Sequence, residues 1–301
     1  MKGFSYLTLL AAIFFFSTNE LTGKIVSVDV SPYMVTIIRF LIGSLIILPF
    51  IFKQKRNELR SLTIKDYAVI AYPGIINVAI AMLFLQMATY YGKASTSAIL
   101  ISSNPLFVAI FATFILKEKL SLEKIIGVLF GLIGVYLVIK WEQPVEKMII
   151  NHQLGILYGI IASISFALYT VLAKRASERY GSLIFNSFSF GAGAITLLIV
   201  SLIMGFDLSC KITPKTVLTI LYMGIFVTGL AYILYLDGLK KVSAIGGSTF
   251  FFLKPFIASL LSWLILGERI TIWQLIGIFV IIMGIYVSQT TFLTNRGVLQ
   301  K

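Results

Sequence analysis

Apolar residues run along this chain in long blocks, separated by short clusters of charge and turn residues. Ten such blocks stand at about 4–24, 31–52, 66–89, 94–116, 121–141, 153–176, 182–204, 214–238, 244–267 and 271–291. A hydrocarbon layer about 30 Å thick takes about 20 apolar residues at 1.5 Å per residue, so each block predicts one transmembrane helix. The expected fold is an all-α membrane protein of ten spans.

Composition agrees: the 301 residues are 58% hydrophobic and only 12% charged, with a mean hydropathy of +0.97, well above an ordinary soluble domain. The first block follows Met1 and Lys2 and has the look of a signal peptide, but the internal repeat described below argues that it is retained. The one cysteine, Cys210, excludes an internal disulfide framework, and the one histidine, His152, leaves no His/Cys metal site; no cofactor is expected. A net charge of +13 fits the basic loops of a membrane protein facing anionic lipid headgroups better than it fits nucleic acid. With the N-terminus and every second loop on one side, 16 basic residues fall on that side, 7 on the other, and Arg39 and Lys254 inside blocks. The positive-inside rule then makes both termini cytoplasmic, in a multi-pass protein of a bacterial inner membrane.

The chain is written twice. At an offset of 150 residues, Tyr72, Gly74 and Ala81 meet Tyr222, Gly224 and Ala231; Pro105 meets Pro255, Glu118 meets Glu268, Gly127 meets Gly277, Gly134 meets Gly284 and Tyr136 meets Tyr286. An offset of 151 places the first block on the sixth. Each half, 1–146 and 147–301, thus holds five helices, and an odd number means that the second half enters the membrane from the opposite side. Inverted repeats of this kind place a binding site near the midplane between the halves, where interrupted helices and polar groups converge.

A Pro near the middle of the fourth helix of each half, an acidic residue at its end (Glu118, Glu268) and Gly at sevenfold spacing in the next helix resemble the drug/metabolite transporter superfamily, specifically its EamA-type members. Arg39 in IIRFLIGSL resembles the "RF" of the family's second helix, and Lys24 stands where its first helix often ends in Lys. The family's first helix usually carries a Trp-Gly pair followed by a small polar residue; here FFFSTNELTGK puts Phe16 and Ser17 there, with Glu20 just beyond. The resemblance implies export or exchange of small metabolites, amino acids or drugs through a cavity between the halves.

No ATP-hydrolysing loop is present, since Gly23-Lys24 and Gly92-Lys93 are followed by Ile and Ala where a phosphate loop needs Ser or Thr. The sharpest chemical signal is Lys254, centred in its block beside Pro255. A centred lysine costs roughly 2.5–3.5 kcal/mol to insert, so it should face the bundle interior or water and find a partner. It is a cationic anchor for an anionic substrate group, half of a structural ion pair, or a lysine snorkelling to the interface; its equivalent in the first half is neutral Asn104. Glu20 is the acidic residue well inside a block, and it could pair with Lys254 across an estimated depth difference of about 9 Å, bind a proton or substrate amine, or simply reach water.

Arg39 reads as structural, tying carbonyl ends together. Pro105, Pro255, Glu118 and Glu268 read as hinges and corner posts, each Glu placed to cap the helix that follows it. At α-helical spacing Thr228, Tyr232 and Tyr235 share a face, as do Gly247, Phe250 and Lys254; Asn77, Ala81 and Phe84; Ile101 and Asn104; and Ser165 and Tyr169. The expected substrate-binding set is Lys254, Asn104, Asn77, Asn19, Glu20, Tyr169 and Tyr232, lining an aromatic, sparingly polar cavity. The protein reads as a secondary transporter of small metabolites, an exporter working by alternating access as a monomer or homodimer. Facilitated uptake is the alternative, and an intramembrane transferase is disfavoured because the loops are short and carry one His.

Overall fold

The computed structural model describes residues 2–92, 94–140, 150–257, 260 and 272–297, and the regular structure of these residues is entirely helical. Seven helices among them are long and apolar enough to cross a membrane: Ser5–Val26, Pro32–Gln54, Ile64–Tyr91, Ser97–Ile115, His152–Tyr180, Ser182–Met204 and Pro214–Leu239. Leu122–Lys140 adds a further 19-residue helix, and the apolar stretches Ala244–Ile257 and Leu275–Ser288 are shorter. The ninth block is described only in part, and Glu268 lies outside the described residues.

Polar caps start these helices. Ser31, Asn151 and Thr213 each accept a hydrogen bond from the backbone N–H three residues on, and Thr63 and Asp66 form a reciprocal capping box. Between helices, Val30 and Cys210 form an isolated backbone bridge that ties the 27–31 and 205–213 loops together.

Among the described residues, five of the apolar helices are broken or change type along their length. In the first, Ser17 and Thr18 donate their hydroxyls to the carbonyls of Ile13 and Phe15, competing with the helical ladder, and Thr18 separates Lys2–Ser17 from Asn19–Val26. Ile64–Tyr91 and Pro214–Leu239 widen into π-helix over Ile76–Met82 and Met223–Leu230, just after Pro73 and across Gly224 and Gly229. The helix Ala94–Ser102 stops at Ser103 and restarts as Asn104–Ile115, with Pro105 in its first turn. Its equivalent runs as α-helix over Ala244–Ser248, as 3-10 helix over Thr249–Leu253, and resumes at Lys254.

The Leu122–Lys140 and Ile272–Gly297 helices lie against each other along their length. Glycines set that contact: a Cβ on Gly127 would stand 2.6 Å from the carbonyl oxygen of Gly284, and one on Gly134 would stand 2.7 Å from that of Gly277. Small residues let backbones approach where lipid offers no hydrophobic drive to associate.

Candidate functional site

The break at Thr18 leaves Asn19 and Glu20 in the first turn of a new eight-residue helix, whose positive end favours the Glu20 carboxylate. From the other half of the chain, Lys254 Nζ donates to Glu20 Oε1 at 2.7 Å, and the two side chains are only 3% and 5% exposed. The predicted depth difference between them assumed unbroken α-helices. Five residues of 3-10 helix at about 2.0 Å per residue carry Lys254 about 2.5 Å further than an α-helix would, and the lysine stem spans more.

Arg39 joins this centre. Its Nη1 donates to Asn19 Oδ1, its guanidinium carbon lies 4.9 Å from the Phe40 ring centroid, and its Nε and Nη2 have no hydrogen-bond partner among the described residues. Glu20 Oε2 is likewise unpartnered among them. A centre with two cations, one anion and unused polar atoms has the capacity to take a further anionic group.

Asn19, Arg39, Tyr232 and Lys254 face one cavity of about 20 Å³, whose remaining walls include Phe16, Phe166 and Phe251. That is room for about one water molecule. The aromatic wall is continuous: Tyr232 stands edge-on to Phe16 at 5.0 Å and to Phe190 at 4.9 Å, Phe16 stacks on Phe251 at 5.6 Å, and Phe166 meets Phe251 at 5.2 Å. Such pairs add roughly 0.5–1.5 kcal/mol each beyond the area they bury.

Two lysines tie helix ends at a distance from this centre. Lys24 Nζ donates to the carbonyls of Thr89 and Gly92, both at 3.0 Å, holding the end of the Ile64–Tyr91 helix. Lys174 Nζ donates to the carbonyl of Val242 at 2.7 Å and to Glu118 Oε1 at 3.2 Å. Glu118 in turn accepts from the backbone N–H groups of Ala244 at 2.7 Å and Ile245 at 3.3 Å. The sequence reading had Glu118 capping the helix that follows it; the carboxylate instead caps Ala244–Ser248, from the other half of the chain. Lys24 and Lys174, and their acceptors Gly92 and Val242, are each 150 residues apart.

Comparison with known proteins places this geometry. The EamA-like transporter family matches residues 3–140 and again 153–290. The chain belongs to the EamA-like transporter family. It is 38% identical over 289 residues to an "uncharacterized transporter" of Clostridium kluyveri, covering 95% of this chain and 93% of that one. It is 29% identical to the "uncharacterized transporter YetK" of Bacillus subtilis, over 94% and 86% of the two chains. A solved crystal structure with 20% identity superposes with a TM-score of 0.77 over 97% of this chain and 98% of that one, a likeness of fold. This is therefore a multi-pass membrane transporter.

Within this EamA-like transporter, three of the seven residues expected to bind substrate, Asn19, Tyr232 and Lys254, line the cavity, and Glu20 is bonded to the last of them. Asn77 accepts from the Tyr232 hydroxyl at 3.5 Å and Tyr169 packs its ring 6.0 Å from that of Tyr232, both one layer back. Asn104 is buried and donates its Nδ2 to the carbonyl of Ile101 at 2.6 Å, and Ile101 rather than Asn104 reaches the cavity. Arg39, read from sequence as structural, lines it as well.

The face assignments that assumed α-helical period are corrected where the helices change type. Phe250 stacks on Tyr6 at 5.9 Å, and the ring beside Lys254 is Phe251, 5.8 Å from its Nζ. Beyond the π segment, Met82 and Leu85 face the cavity, while Phe84 packs on Tyr158 at 5.4 Å. Phe166 and Val227 also line it; their apolar neighbourhood in sequence carries no signal that separates them from ordinary core.

Proposed function

We propose that this transporter is a secondary exporter of small amphipathic metabolites that carry both a carboxylate and an amine, working by alternating access between two inverted five-helix halves. The observation that carries this reading is the buried Lys254–Glu20 pair, drawn from opposite halves, with Arg39 beside it at an aromatic-walled cavity. Removing one partner of a buried ion pair costs about 3–5 kcal/mol, so the pair separates readily only when both members are satisfied anew. A zwitterionic solute does this: its carboxylate takes Lys254 and Arg39, and its ammonium takes Glu20. A proton on Glu20 can serve in place of the ammonium, which couples transport to pH.

The cavity of about 20 Å³ is too small for such a solute, so loading requires the halves to part. In the proposed topology the halves are residues 1–146 and 147–301, ten helices span a bacterial inner membrane, and both termini are cytoplasmic. Reciprocal packing of Gly127 on Gly284 and Gly134 on Gly277 supports a two-fold relation between the halves, as does the recurrence of the Lys24 and Lys174 latches at one offset. These latches then stand at opposite membrane faces: at the cytoplasmic end Lys174 joins its own half to Glu118 of the first, a contact that parting of the halves would break, while at the outer end Lys24 ties two helices of the first half together. Pro105 and Pro255 supply the interrupted helices on which each half bends. Export is the direction the family resemblance implies, and the substrate gradient or a coupled ion supplies the energy.

The test is untargeted profiling of metabolites released by cells expressing the intact protein, against cells with equal amounts of Lys254→Met. The proposal expects an amphipathic zwitterion released only by the intact protein. Equal release by both would reduce Lys254 to architecture, and release by neither would remove export.

A further inference from the structure

A cavity much roomier than the central one lies away from the pair, between the Ile64–Tyr91 and His152–Tyr180 helices, with a volume of about 510 Å³. Its walls are apolar: Val69, Tyr72 and Leu172 line it, and Val69 and Tyr72 are 47% and 59% exposed on the outer surface of the bundle, where a bilayer would lie. Its other lining residues include Arg175, Arg179 and Tyr180. A trench with an apolar wall and cationic groups on one helix has the two-part chemistry of a lipid, whose acyl chain and charged headgroup are joined.

The cationic part is built in advance. Arg179 Nη2 donates to Asp66 Oδ1 at 3.0 Å and its guanidinium lies 4.9 Å from the Tyr180 ring centroid, with most of the side chain left exposed. Asp66 Oδ1 also accepts from the Tyr180 hydroxyl at 2.7 Å, while Oδ2 accepts from Thr63 at 2.9 and 2.6 Å. The carboxylate is thereby fully engaged, and it offsets one of the two arginines. Arg175 is exposed and has no ion-pair partner among the described residues. Glu178, the other acid on this turn, is not among the residues lining the cavity. The chain brings further cations to the neighbouring segment 53–65, Lys53, Arg56, Arg60 and Lys65, with Lys55 there paired to Glu58 at 2.5 Å.

We infer that this trench is a binding site for an anionic phospholipid, its phosphate on Arg175 and Arg179 and one acyl chain along Val69, Tyr72 and Leu172. Because one wall comes from residues 1–146 and the other from 147–301, a bound lipid would bridge the two segments that the proposed mechanism moves apart. Membrane composition would then tune the transporter. The lipid site itself stands without the transport reading.

The test uses the intact purified protein in neutral detergent, titrated with phosphatidylglycerol or with phosphatidylcholine of the same acyl chains. Bound lipid is counted by native mass spectrometry and the apparent Tm is followed in parallel. The expected result is selective retention of phosphatidylglycerol with a raised Tm, since a ligand bound to the folded state stabilises it. Arg175→Gln should weaken retention about fivefold, the effect of one basic residue at an anionic surface, and Arg175→Lys should restore most of it. Arg175 is exposed and has no ion-pair partner among the described residues, so its substitution leaves folding intact, checked by gel filtration. Equal retention of both lipids, or an unchanged affinity in Arg175→Gln, overturns the site. Full displacement by inorganic phosphate overturns the acyl-chain part and leaves a bare anion site.

Discussion

The two proline breaks, at Asn104-Pro105 and at Lys254-Pro255, occupy equivalent positions in the two halves of the chain and end in different chemistry. Each proline withdraws a backbone donor from the carbonyl four residues earlier. In the first half Asn104 supplies a substitute locally, donating its own amide to that carbonyl, Ile101, at 2.6 Å. In the second half the residue before the proline is a lysine that reaches out of its helix to Glu20 at 2.7 Å. The proline makes the break; the residue before it decides whether the break heals itself or engages another helix. The two repeats thus carry equivalent breaks, and only the second places a charge beside its proline.

That contrast is open to direct attack. The largest effect should come from Lys254→Met, which leaves Glu20 buried and unpaired: a loss of about 3–5 kcal/mol of stability, read by thermal melting in detergent, together with loss of transport. Adding Glu20→Gln should restore most of the stability and none of the transport. If the double variant transports normally, the pair is scaffolding. Next in size is Glu118→Gln, which weakens a carboxylate receiving two backbone N–H groups and Lys174. Hydrogen bonds to charged groups contribute about 1.5–3 kcal/mol, so melting should fall measurably, and thiol labelling of a cysteine introduced beside Glu118 should speed up as that latch loosens.

Asn104→Leu should cost about 1 kcal/mol, the worth of one hydrogen bond to a carbonyl, and leave transport near its original rate. A loss of transport as large as that of Lys254→Met would erase the distinction between the two breaks. Smallest is the paired comparison of Phe250→Leu with Phe251→Leu. Both rings make stacked contacts of roughly 0.5–1.5 kcal/mol, but only Phe251 faces the cavity, so only its substitution should change the apparent substrate affinity.

What was legible in the sequence follows from what hydropathy and covalent chemistry determine. A proline inside an apolar block takes a donor out of the helical ladder and a lysine or glutamate inside one must find company, so Pro105, Pro255, Glu20 and Lys254 announced themselves, although Pro49 sits inside the unbroken Pro32–Gln54 helix. Helix faces were legible only where the helix kept its α period. The 3-10 stretch Thr249–Leu253 moved the cavity position from Phe250 to Phe251, and the π segment Ile76–Met82 moved it to Met82 and Leu85. Neither helix type has a residue signature strong enough to be read in advance. Lys24 and Lys174 counted in the sequence as ordinary loop charges, because a cation at a helix end looks the same whether it meets water or a neighbouring carbonyl. Glu118 showed its position at a corner but not that its partner lay in the other half.

Alternating access requires the Lys254–Glu20 centre to lie on a path reached by water from both membrane faces in turn. The direct measurement is labelling of Lys254→Cys, in a Cys210→Ser background, by a membrane-impermeant thiol reagent in right-side-out and inside-out vesicles. Alternating access predicts modification from both faces. A cysteine at 254 that stays unmodified from either face would contradict it, and would leave the pair a sealed structural bridge.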